Sequence, residues 1–142
     1  MKKVLRLYTD GAARGNPGAA GAGMVIEDGG GIRLRGLHRW LGHKTNNEAE
    51  YLALIDGLRA VAEWHPDRLE MFLDSKLVVE QIKGVYRVRK AELQTLNKQA
   101  MDLIRGFPEW EIAYVEREKN QGADALANMA IDEHVKKSQA AG

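Results

Sequence analysis

The sequence contains no cysteine among its 142 residues. Without cysteine there is no disulfide framework and no zinc site built on thiolates. No apolar run approaches the roughly 18 residues that a membrane-spanning helix needs. The N-terminal stretch "MKKVLRLYTD" carries two lysines but no long apolar segment, so we predict no signal peptide. These absences together predict a cytoplasmic protein without a membrane anchor.

A single domain is the expectation for a chain of this length, which can bury a hydrophobic core without covalent staples. Apolar residues make up 44% of the sequence and charged residues 29%, which is ordinary for a globular domain. We place this domain at residues 1–135 and predict that the polar residues 136–142 form a disordered tail.

Positive charge is concentrated in two stretches, although the formal net charge is only +1. Residues 31–45 and residues 83–90 contain arginine and lysine but no acidic residue. Local basic stretches suit a polyanionic partner, and nucleic acid is the usual one. Taken alone, either stretch is better explained as an ordinary solvent-exposed face.

Hydrophobic periodicity and turn residues predict the element order β-β-β-α-β-α-α-β-α. The predicted strands cover residues 2–10, 20–28, 31–41, 68–74 and 109–117, and the predicted helices cover residues 46–64, 75–82, 90–106 and 120–137. Strands joined by short turns should be antiparallel, whereas strands reached through helices should be parallel to a neighbour. The fold class is therefore α/β, a mixed five-stranded sheet flanked by helices, with its first three strands antiparallel.

Four carboxylates stand at the ends of these predicted elements. Asp10 and Asp74 end strands, whereas Glu50 and Asp124 lie in the first turns of helices. Three of them have an ordinary structural explanation when each is considered singly. Asp74 would cap the following helix, Asp10 would begin a turn with Gly11, and Asp124 would complement a helix dipole.

The glutamates Glu48 and Glu50 can be separated by helix geometry. The sequence "TNNE" fits a capping box in which Thr45 is the N-cap and Glu48 reaches back to its amide. At about 100° per residue, Glu50 points roughly 200° away from Glu48. Only one of the two can face a given neighbour, and the cap claims Glu48.

Four segments together resemble the type 1 ribonucleases H, in the order of that family and from about Leu5 to Ala130. They are "YTDGAARGNPG", "TNNEAEYLALIDGL", "FLDSKLVVEQI" and "NQGADALANMA". The resemblance implies the ribonuclease H-like fold. It also implies four catalytic, metal-binding acids, which are Asp10, Glu50, Asp74 and Asp124.

The reaction implied by the resemblance is hydrolysis of the RNA strand of an RNA–DNA hybrid, leaving 5′-phosphate and 3′-hydroxyl ends. Two Mg²⁺ ions would activate the attacking water and stabilise the departing oxygen, and Mn²⁺ would substitute for Mg²⁺. Asp10 would bridge both ions. Glu50 and Asp74 would hold the ion nearer the leaving group, and Asp124 the ion nearer the attacking water. The carboxylates should repel one another without metal, so Mg²⁺ should also stabilise the fold.

The small residues after Asp10 are expected to form a loop that keeps the backbone low beneath the scissile phosphate. The loop and the first helix are expected to meet the RNA 2′-hydroxyls, which distinguish RNA from DNA. The first-helix N-terminus is expected to hold a DNA phosphate. The alternatives are a turn role for Asn16 before Pro17 and a core or edge position for Tyr86. The full predicted substrate-binding set is Gly11, Ala12, Ala13, Asn16, Lys44, Thr45, Asn46, Asn47, Lys76, Tyr86, Arg87 and Arg89.

Two features depart from many members of the family, as in short archaeal-like or bacterial variants. The segment "KGVYRVRKAELQTL" leaves no room for the long basic protrusion that others carry. The loop "VEREKNQGAD" has no histidine, and we predict that Arg117 is catalytic and supplies the electrostatic part of its role. Arginine cannot exchange protons near neutral pH. The alternative for Arg117 is a surface charge paired with Glu116 or Glu118.

Two other functions remain open at the level of sequence. One is a non-catalytic nucleic-acid-binding module of the same fold, against which the four intact acids argue. The other is the nuclease domain of a larger polymerase. The initial methionine and polar C-terminus favour a free-standing protein, which we expect to be monomeric and to have an RNA–DNA hybrid as its partner.

Overall fold

The computed structural model describes residues 2–141, so Met1 and the last residue of the predicted tail, Gly142, lie outside the described residues. The strands are β1 (Val4–Gly15), β2 (Gly18–Asp28), β3 (Arg33–Lys44), β4 (Arg68–Leu73) and β5 (Glu109–Tyr114). The helices are α1 (Asn46–Ala62), α2 (Lys76–Ile82), α3 (Ala91–Ile104) and α4 (Gln121–Ala141), with a short 3-10 helix at Arg117–Lys119.

The strands form a five-stranded sheet in the order β3-β2-β1-β4-β5. β2 is antiparallel to both β1 and β3, whereas β4 is parallel to β1 and β5 is parallel to β4. The turn between β2 and β3 is held by Asp28, whose Oδ1 accepts from the backbone N–H groups of Gly30 and Ile32 at 2.9 Å each. The predicted mixed sheet is therefore confirmed.

Helices cover both faces of the sheet, and the main core lies on the face of α1 and α3. Residues that alternate along β1, such as Leu5 and Leu7, are buried there with the α1 residues Leu54 and Leu58. The helix α4 packs on the opposite face through small residues. A Cβ atom built on Gly21 would lie 2.3 Å from the carbonyl oxygen of Ala127, so helix and strand are in close contact.

Polar and aromatic contacts add to the contact between α4 and β3. The rings of Trp40 and His134 are stacked, with centroids 3.7 Å apart and planes 5° apart. His38 Nε2 lies 3.0 Å from a carboxylate oxygen of Glu133. The last helix is thus tied to the strand that forms one edge of the sheet.

The prediction that β1 ends at Asp10 in front of a loop was wrong. Residues 11–15 continue β1 and pair with β2 down to the contact between Gly15 and Gly18. Alanine and glycine have low strand propensity, but ladder pairing with β2 overrides it. The small side chains make room for a helix instead, because a Cβ atom on Gly11 would lie 2.1 Å from the carbonyl carbon of Ala49.

The C-terminal boundary also differs from the prediction. The helix α4 continues through Ala141, so residues 136–141 are helical and exposed rather than a disordered tail. These residues are mostly lysine, glutamine and alanine, which propagate a helix well once it has started. The strand before α4 is shorter than predicted. β5 ends at Tyr114, and Arg117, the last residue of the predicted strand, begins the 3-10 helix. No helix within residues 2–141 has the length and apolar character needed to cross a membrane.

Candidate active site

Three carboxylates meet at the edge of the sheet where β4 ends. Asp10, Glu50 and Asp74 each offer an oxygen atom, and these atoms all lie within 4.8 Å of one another. Asp10 is 5% exposed and Glu50 is 8% exposed, so two of the three carboxylates are almost removed from solvent. Such proximity is unfavourable for ionised carboxylates without a cation or shared protons between them.

The sheet topology explains how Asp10 and Asp74 come together. In the parallel pair β1 and β4, Thr9 is opposite Leu73, so the next residue on each strand falls side by side. Asp74 is not the N-cap of α2, although capping this helix was the alternative explanation for its position. Ser75 is the N-cap, and its side chain accepts a hydrogen bond from the amide of Val78.

Glu50 reaches the cluster from the first turns of α1. The backbone N–H of Gly11 donates to Glu50 Oε1 at 2.5 Å, a charge-assisted bond that fixes the carboxylate beside Asp10. The predicted capping box is confirmed two residues earlier. The N–H of Thr45 donates to Glu48 Oε1 at 3.0 Å, and the N–H of Glu48 donates to Thr45 Oγ1 at 3.2 Å.

Asp124 completes the arrangement from the first turn of α4. Its side chain is partly buried, and its contact with the carboxyl group of Asp10 is one of the causes that raise the pKa of Asp10. The backbone N–H of Asp124 donates to the carbonyl oxygen of Asn120 at 3.1 Å. The structure therefore brings Asp10, Glu50 and Asp74 together and places Asp124 beside Asp10.

Burial and mutual repulsion shift the proton affinity of these acids. Burial, followed by the negative charges of Glu50 and Asp74, raises the pKa of Asp10 to about 10. Burial likewise raises the pKa of Glu50 to about 7, although hydrogen bonds from Asp10 and Gly11 oppose the rise. Without a cation, the cluster consequently retains a proton at neutral pH.

The same group fits a hard divalent cation. Asp10 Oδ2 is buried and has no hydrogen-bond partner within the described residues. Carboxylate oxygens are the ligands that Mg²⁺ and Mn²⁺ prefer, and a cation would relieve the repulsion that raises the pKa values. The residues present can therefore hold a divalent metal ion.

Arg117 lies at the start of the 3-10 helix, is exposed, and is near enough to the cluster for its charge to act on two of the acids. Its positive charge opposes the rise in the pKa of both Glu50 and Asp74, a rise caused mainly by burial. Among the ion pairs formed by residues 2–141, none joins Arg117 to Glu116 or Glu118. The pairing that the alternative role assumed is not seen among these residues, and the catalytic role of Arg117 stays a prediction.

A first group of predicted substrate residues surrounds the N-terminus of α1. Gly11, Ala12 and Ala13 lie in β1, partly exposed, while Lys44, Thr45, Asn46 and Asn47 cover the junction of β3 and α1. Asn16 bridges the two regions. Its Oδ1 accepts a hydrogen bond from the N–H of Asn46 at 3.0 Å, so Asn16 does more than end the turn.

A second group lines an open groove of about 610 Å³ between α2 and α3. Tyr86, Arg87, Arg89 and Lys90 line one part of it, and Asn47 at the α1 N-terminus lines another. Tyr86 is 42% exposed, which excludes a core position. Lys76 lies at the exposed start of α2, outside the lining of this groove.

The two basic stretches differ in their partners. In residues 31–45, Arg39 pairs with Asp56 at 2.5 Å and His38 pairs with Glu133 at 3.0 Å. In residues 83–90, no cation forms an ion pair with any acid of residues 2–141. Part of the first stretch is thus committed within the fold, while the second is free for an external anion.

Sequence reasoning missed Asn120. This residue is 1% exposed, and its Nδ2 donates to the carbonyl oxygen of Thr9 at 2.9 Å. An asparagine directly before a helix ordinarily indicates an N-cap, so its burial against β1 could not be read from the local pattern. The one available signal was its position between Arg117 and Asp124.

Comparison with known proteins gives consistent matches over most of the chain. Residues 8–130 match the family described as "Reverse transcriptase-like". The chain is 44% identical over 127 residues to ribonuclease HI of Halobacterium salinarum, an alignment that covers 89% of this chain. The chain spans 63% of the length of that relative.

Two crystal structures are similar in sequence and in fold. RNase H1 of Halobacterium salinarum superposes with a TM-score of 0.89 at 41% identity, covering 92% of this chain and 98% of that one. LC11-RNase H1, solved in complex with an RNA/DNA hybrid, superposes with a TM-score of 0.87 at 38% identity. That match covers 92% of this chain and 99% of the other.

Proposed function

The chain belongs to the type 1 ribonuclease H family, and we propose that it is a nuclease that hydrolyses the RNA strand of RNA–DNA hybrids. The observation that carries the proposal is the carboxylate cluster, in which oxygens of Asp10, Glu50 and Asp74 lie within 4.8 Å of one another. The relative solved with a bound RNA/DNA hybrid supports the choice of substrate.

The acid cluster is proposed to hold two Mg²⁺ ions, with Mn²⁺ as a substitute. Asp10 would be shared between them, Glu50 and Asp74 would serve the ion nearer the leaving group, and Asp124 the ion nearer the attacking water. When bound, the ions would neutralise phosphate charge, activate water and stabilise the departing oxygen. The proposed products carry 5′-phosphate and 3′-hydroxyl ends.

The N-terminus of α1 offers one free donor for a DNA phosphate. Side chains already satisfy the N–H groups of Thr45, Asn46 and Glu48. The N–H of Asn47 has no hydrogen-bond partner within residues 2–141. We therefore assign the phosphate contact to the amide of Asn47, with Lys44 beside it, and treat Thr45 and Asn46 as residues that shape this N-terminus.

Discrimination of RNA from DNA is proposed to occur on the surface next to the acids. The partly exposed residues Gly11, Ala12 and Ala13 follow Asp10 along β1, Asn16 lies in the turn after this strand, and Asn47 lies three residues before Glu50 in α1. Polar groups here would meet the RNA 2′-hydroxyl, which is both donor and acceptor and is absent from DNA. The groove between α2 and α3 would hold the DNA strand, with Tyr86 against a deoxyribose and Arg87 and Arg89 near phosphates.

Arg117 is proposed to act on the scissile phosphate of the RNA strand through its positive charge, without transferring a proton. Its guanidinium remains protonated at all relevant pH values and presents a fork of donors to phosphate oxygens. We expect Arg117→Ala to lower kcat several-fold, and Arg117→Lys to recover part of the loss. Lys119→Ala, in the same 3-10 helix, is the matched control and should stay within twofold of the parent. An Arg117→Ala enzyme as fast as that control would leave Arg117 without a catalytic role.

One gel tests the proposed activity. Labelled RNA–DNA hybrid, double-stranded RNA and double-stranded DNA are incubated with Mg²⁺, with Mn²⁺ or with a chelator. We expect cleavage of the hybrid alone, dependent on the cation and absent in Asp10→Asn. Extension of the products by a polymerase would report the 3′-hydroxyl ends. Hybrid binding without cleavage by the parent protein would favour the non-catalytic module instead.

The assembly, location and extent of the protein are further proposals. We propose that it acts as a monomer, which light scattering of the purified chain would test against a dimeric mass. A cytoplasmic location is testable by fractionation of the source cells. The catalytic unit is proposed to lie within residues 1–135, so removal of the exposed last turns of α4 should leave cleavage intact.

A further inference from the structure

Asn120 is the residue that joins the 3-10 helix to α4. Its backbone N–H donates to the carbonyl oxygen of Arg117 at 2.9 Å, and its carbonyl oxygen accepts from the N–H of Asp124 at 3.1 Å. Its main chain is therefore hydrogen-bonded to both residues that approach the acid cluster from this side. The position of Asn120 consequently affects where Arg117 and Asp124 lie.

The side chain of Asn120 links this junction to the centre of the sheet. An asparagine before a helix usually turns its side chain back onto the first helical amides. Here the side chain points into the protein, where Nδ2 donates to the carbonyl oxygen of Thr9 at 2.9 Å. Thr9 directly precedes Asp10, and the two bonded residues are 111 positions apart in the sequence. One buried amide thus connects the strand of Asp10 with the helix of Asp124.

The residue bonded by Asn120 also lies next to the third acid. Thr9 is opposite Leu73 in the parallel pair of β1 and β4, and Asp74 directly follows Leu73. Asn120 Oδ1 is buried without a hydrogen-bond partner within the described residues. A buried amide oxygen without a hydrogen-bond partner lowers stability, so stability alone does not explain an asparagine at this position.

Close packing of α4 does not by itself fix the carboxylates. The helix contacts β2 through small residues, and a Cβ atom on Gly23 would lie 2.0 Å from the carbonyl oxygen of Ala123. Such contacts determine how close the helix lies to the sheet. They restrict its position along the strand less than a hydrogen bond does, because apolar contacts have no preferred direction. The bond from Asn120 to Thr9 is directional, and it sets the position along the strand.

We propose that Asn120 is a positioning residue that fixes the spacing of Asp124 and Asp74 relative to Asp10, and thereby the affinity of the acid cluster for divalent cations. This inference rests on the proposed function, because the cation is the one that function requires. Asn120 itself need not touch the cation or the substrate. Without the Asn120 side chain, the distances between the carboxylates would be less tightly fixed, although all four carboxylates would remain.

Two variants of Asn120 and one control test the proposal. Asn120→Ala removes the amide, and Asn120→Ser keeps a helix-capping oxygen but is too short to reach Thr9. The control is Asn97→Ala in α3, which removes another partly buried amide whose Nδ2 donates to Tyr51 Oη at 3.1 Å. Mn²⁺ binding to each protein is measured by electron paramagnetic resonance without nucleic acid. Thermal unfolding in chelator and the Mg²⁺ concentration for half-maximal cleavage are measured in parallel.

We expect both Asn120 variants to bind Mn²⁺ at least fivefold more weakly and to need at least fivefold more Mg²⁺ for half-maximal cleavage. The KM for hybrid should stay within twofold. Asn97→Ala should unfold at a lower temperature with its Mn²⁺ affinity unchanged. Weaker Mn²⁺ binding in a protein whose parent cuts no hybrid would support the positioning role while defeating the proposed function.

Two outcomes would overturn the inference. Folded Asn120 variants that bind Mn²⁺ as tightly as the parent would show that the buried amide does not set the metal affinity. Failure of both variants to fold would make Asn120 a requirement of the fold rather than of the carboxylate spacing.

Discussion

The acid cluster and the basic segment at residues 83–90 are built in opposite ways. The acids lie on strands and helices whose backbones are in close contact, as at Gly11 and Ala49, and a partly buried hydrogen bond holds Glu50 in place. The basic segment lies between α2 and α3, outside regular secondary structure. Its cations are exposed and form no ion pair with residues 2–141.

This difference separates two requirements of the proposed reaction. Chemistry at a phosphate needs groups held to within a fraction of an ångström, which only packed elements provide. Attraction of a polyanion needs charge within about a Debye length, roughly 8 Å at physiological salt, and tolerates movement. Substitutions in the cluster should therefore alter kcat strongly, whereas substitutions in the segment should alter KM and its salt dependence.

The largest effect is expected from the acids themselves. Asp10→Asn, Glu50→Gln and Asp74→Asn each keep the shape of the side chain but remove a charge that is proposed to bind metal, so kcat should fall by roughly a thousandfold or more. Glu48→Gln is the matched control, because glutamine also serves in a capping box. Single-turnover cleavage of one hybrid measures all four. Loss of activity in Glu48→Gln with Glu50→Gln active would reverse the assigned roles.

A smaller loss is expected when the scaffold moves but the acids remain. In Gly11→Ala, the new Cβ atom would lie 2.4 Å from the backbone nitrogen of Glu50, so the start of α1 must shift. We expect kcat to fall by about ten- to a hundredfold, because a displacement of this kind misplaces Glu50. Gly106→Ala, where the nearest atom is 3.2 Å away, is the control. A fully active Gly11→Ala enzyme would show that the close contact is not needed for catalysis.

The repulsion within the cluster should appear as a pH-dependent stability in the absence of metal. The folded-state pKa of Asp10 is raised to about 10, mainly by burial, so the folded protein retains a proton that the unfolded chain has lost. The free energy of unfolding should therefore fall as pH rises between about 4 and 10, by at most about 1.4 kcal/mol per pH unit from Asp10. Below about pH 7 the raised pKa of Glu50 should make this slope steeper. Thermal unfolding in chelator measures this slope.

Asp10→Asn is the informative variant for that measurement. It removes the main titrating group, so it should be more stable than the parent without metal, and the difference should grow with pH. Addition of Mg²⁺ should stabilise the parent more than the variant. A parent protein that becomes more stable between pH 5 and pH 8 in chelator would contradict the predicted fall in the free energy of unfolding.

A modest effect is expected from the basic segment. Replacing Arg87, Arg89 and Lys90 together by alanine should raise KM by about tenfold at low salt and flatten the dependence of binding on salt, since fewer counterions are released. The kcat should change by less than twofold. The matched control is Arg39→Ala, because the guanidinium of Arg39 pairs with Asp56. Equal salt slopes for the parent and the triple variant would remove the segment from the substrate surface.

The proximity of Asp10, Glu50 and Asp74 could be predicted because the positions of these acids follow from short-range rules. Strand ends, the first turns of helices and the capping box of Thr45 and Glu48 are local features, and the family motifs contain them. Topology then places Asp74 beside Asp10 once β1 and β4 are parallel neighbours. The resemblance to the family supplied that topology, so the element pattern alone would have been weaker evidence.

The errors arose where tertiary contacts override local preference. Residues 11–15 are poor strand formers on their own, and only pairing with β2 makes them a strand. The destination of the Asn120 side chain depends on β1, which is remote in sequence. The length of α4 was underestimated because polar composition was interpreted as disorder, although lysine, glutamine and alanine also favour helix.

The acid cluster draws on both ends of the chain, with Asp10 in the first strand and Asp124 in the last helix. During synthesis the N-terminal part is made first, so β1, β2 and β3 can pair before α4 exists. The nascent chain therefore lacks the fourth acid of the proposed site until translation has passed Asp124. Truncated products that end before α4 would also expose the face of β2 that α4 covers. The order of synthesis would thus delay the proposed nuclease activity until α4 covers this face of the sheet.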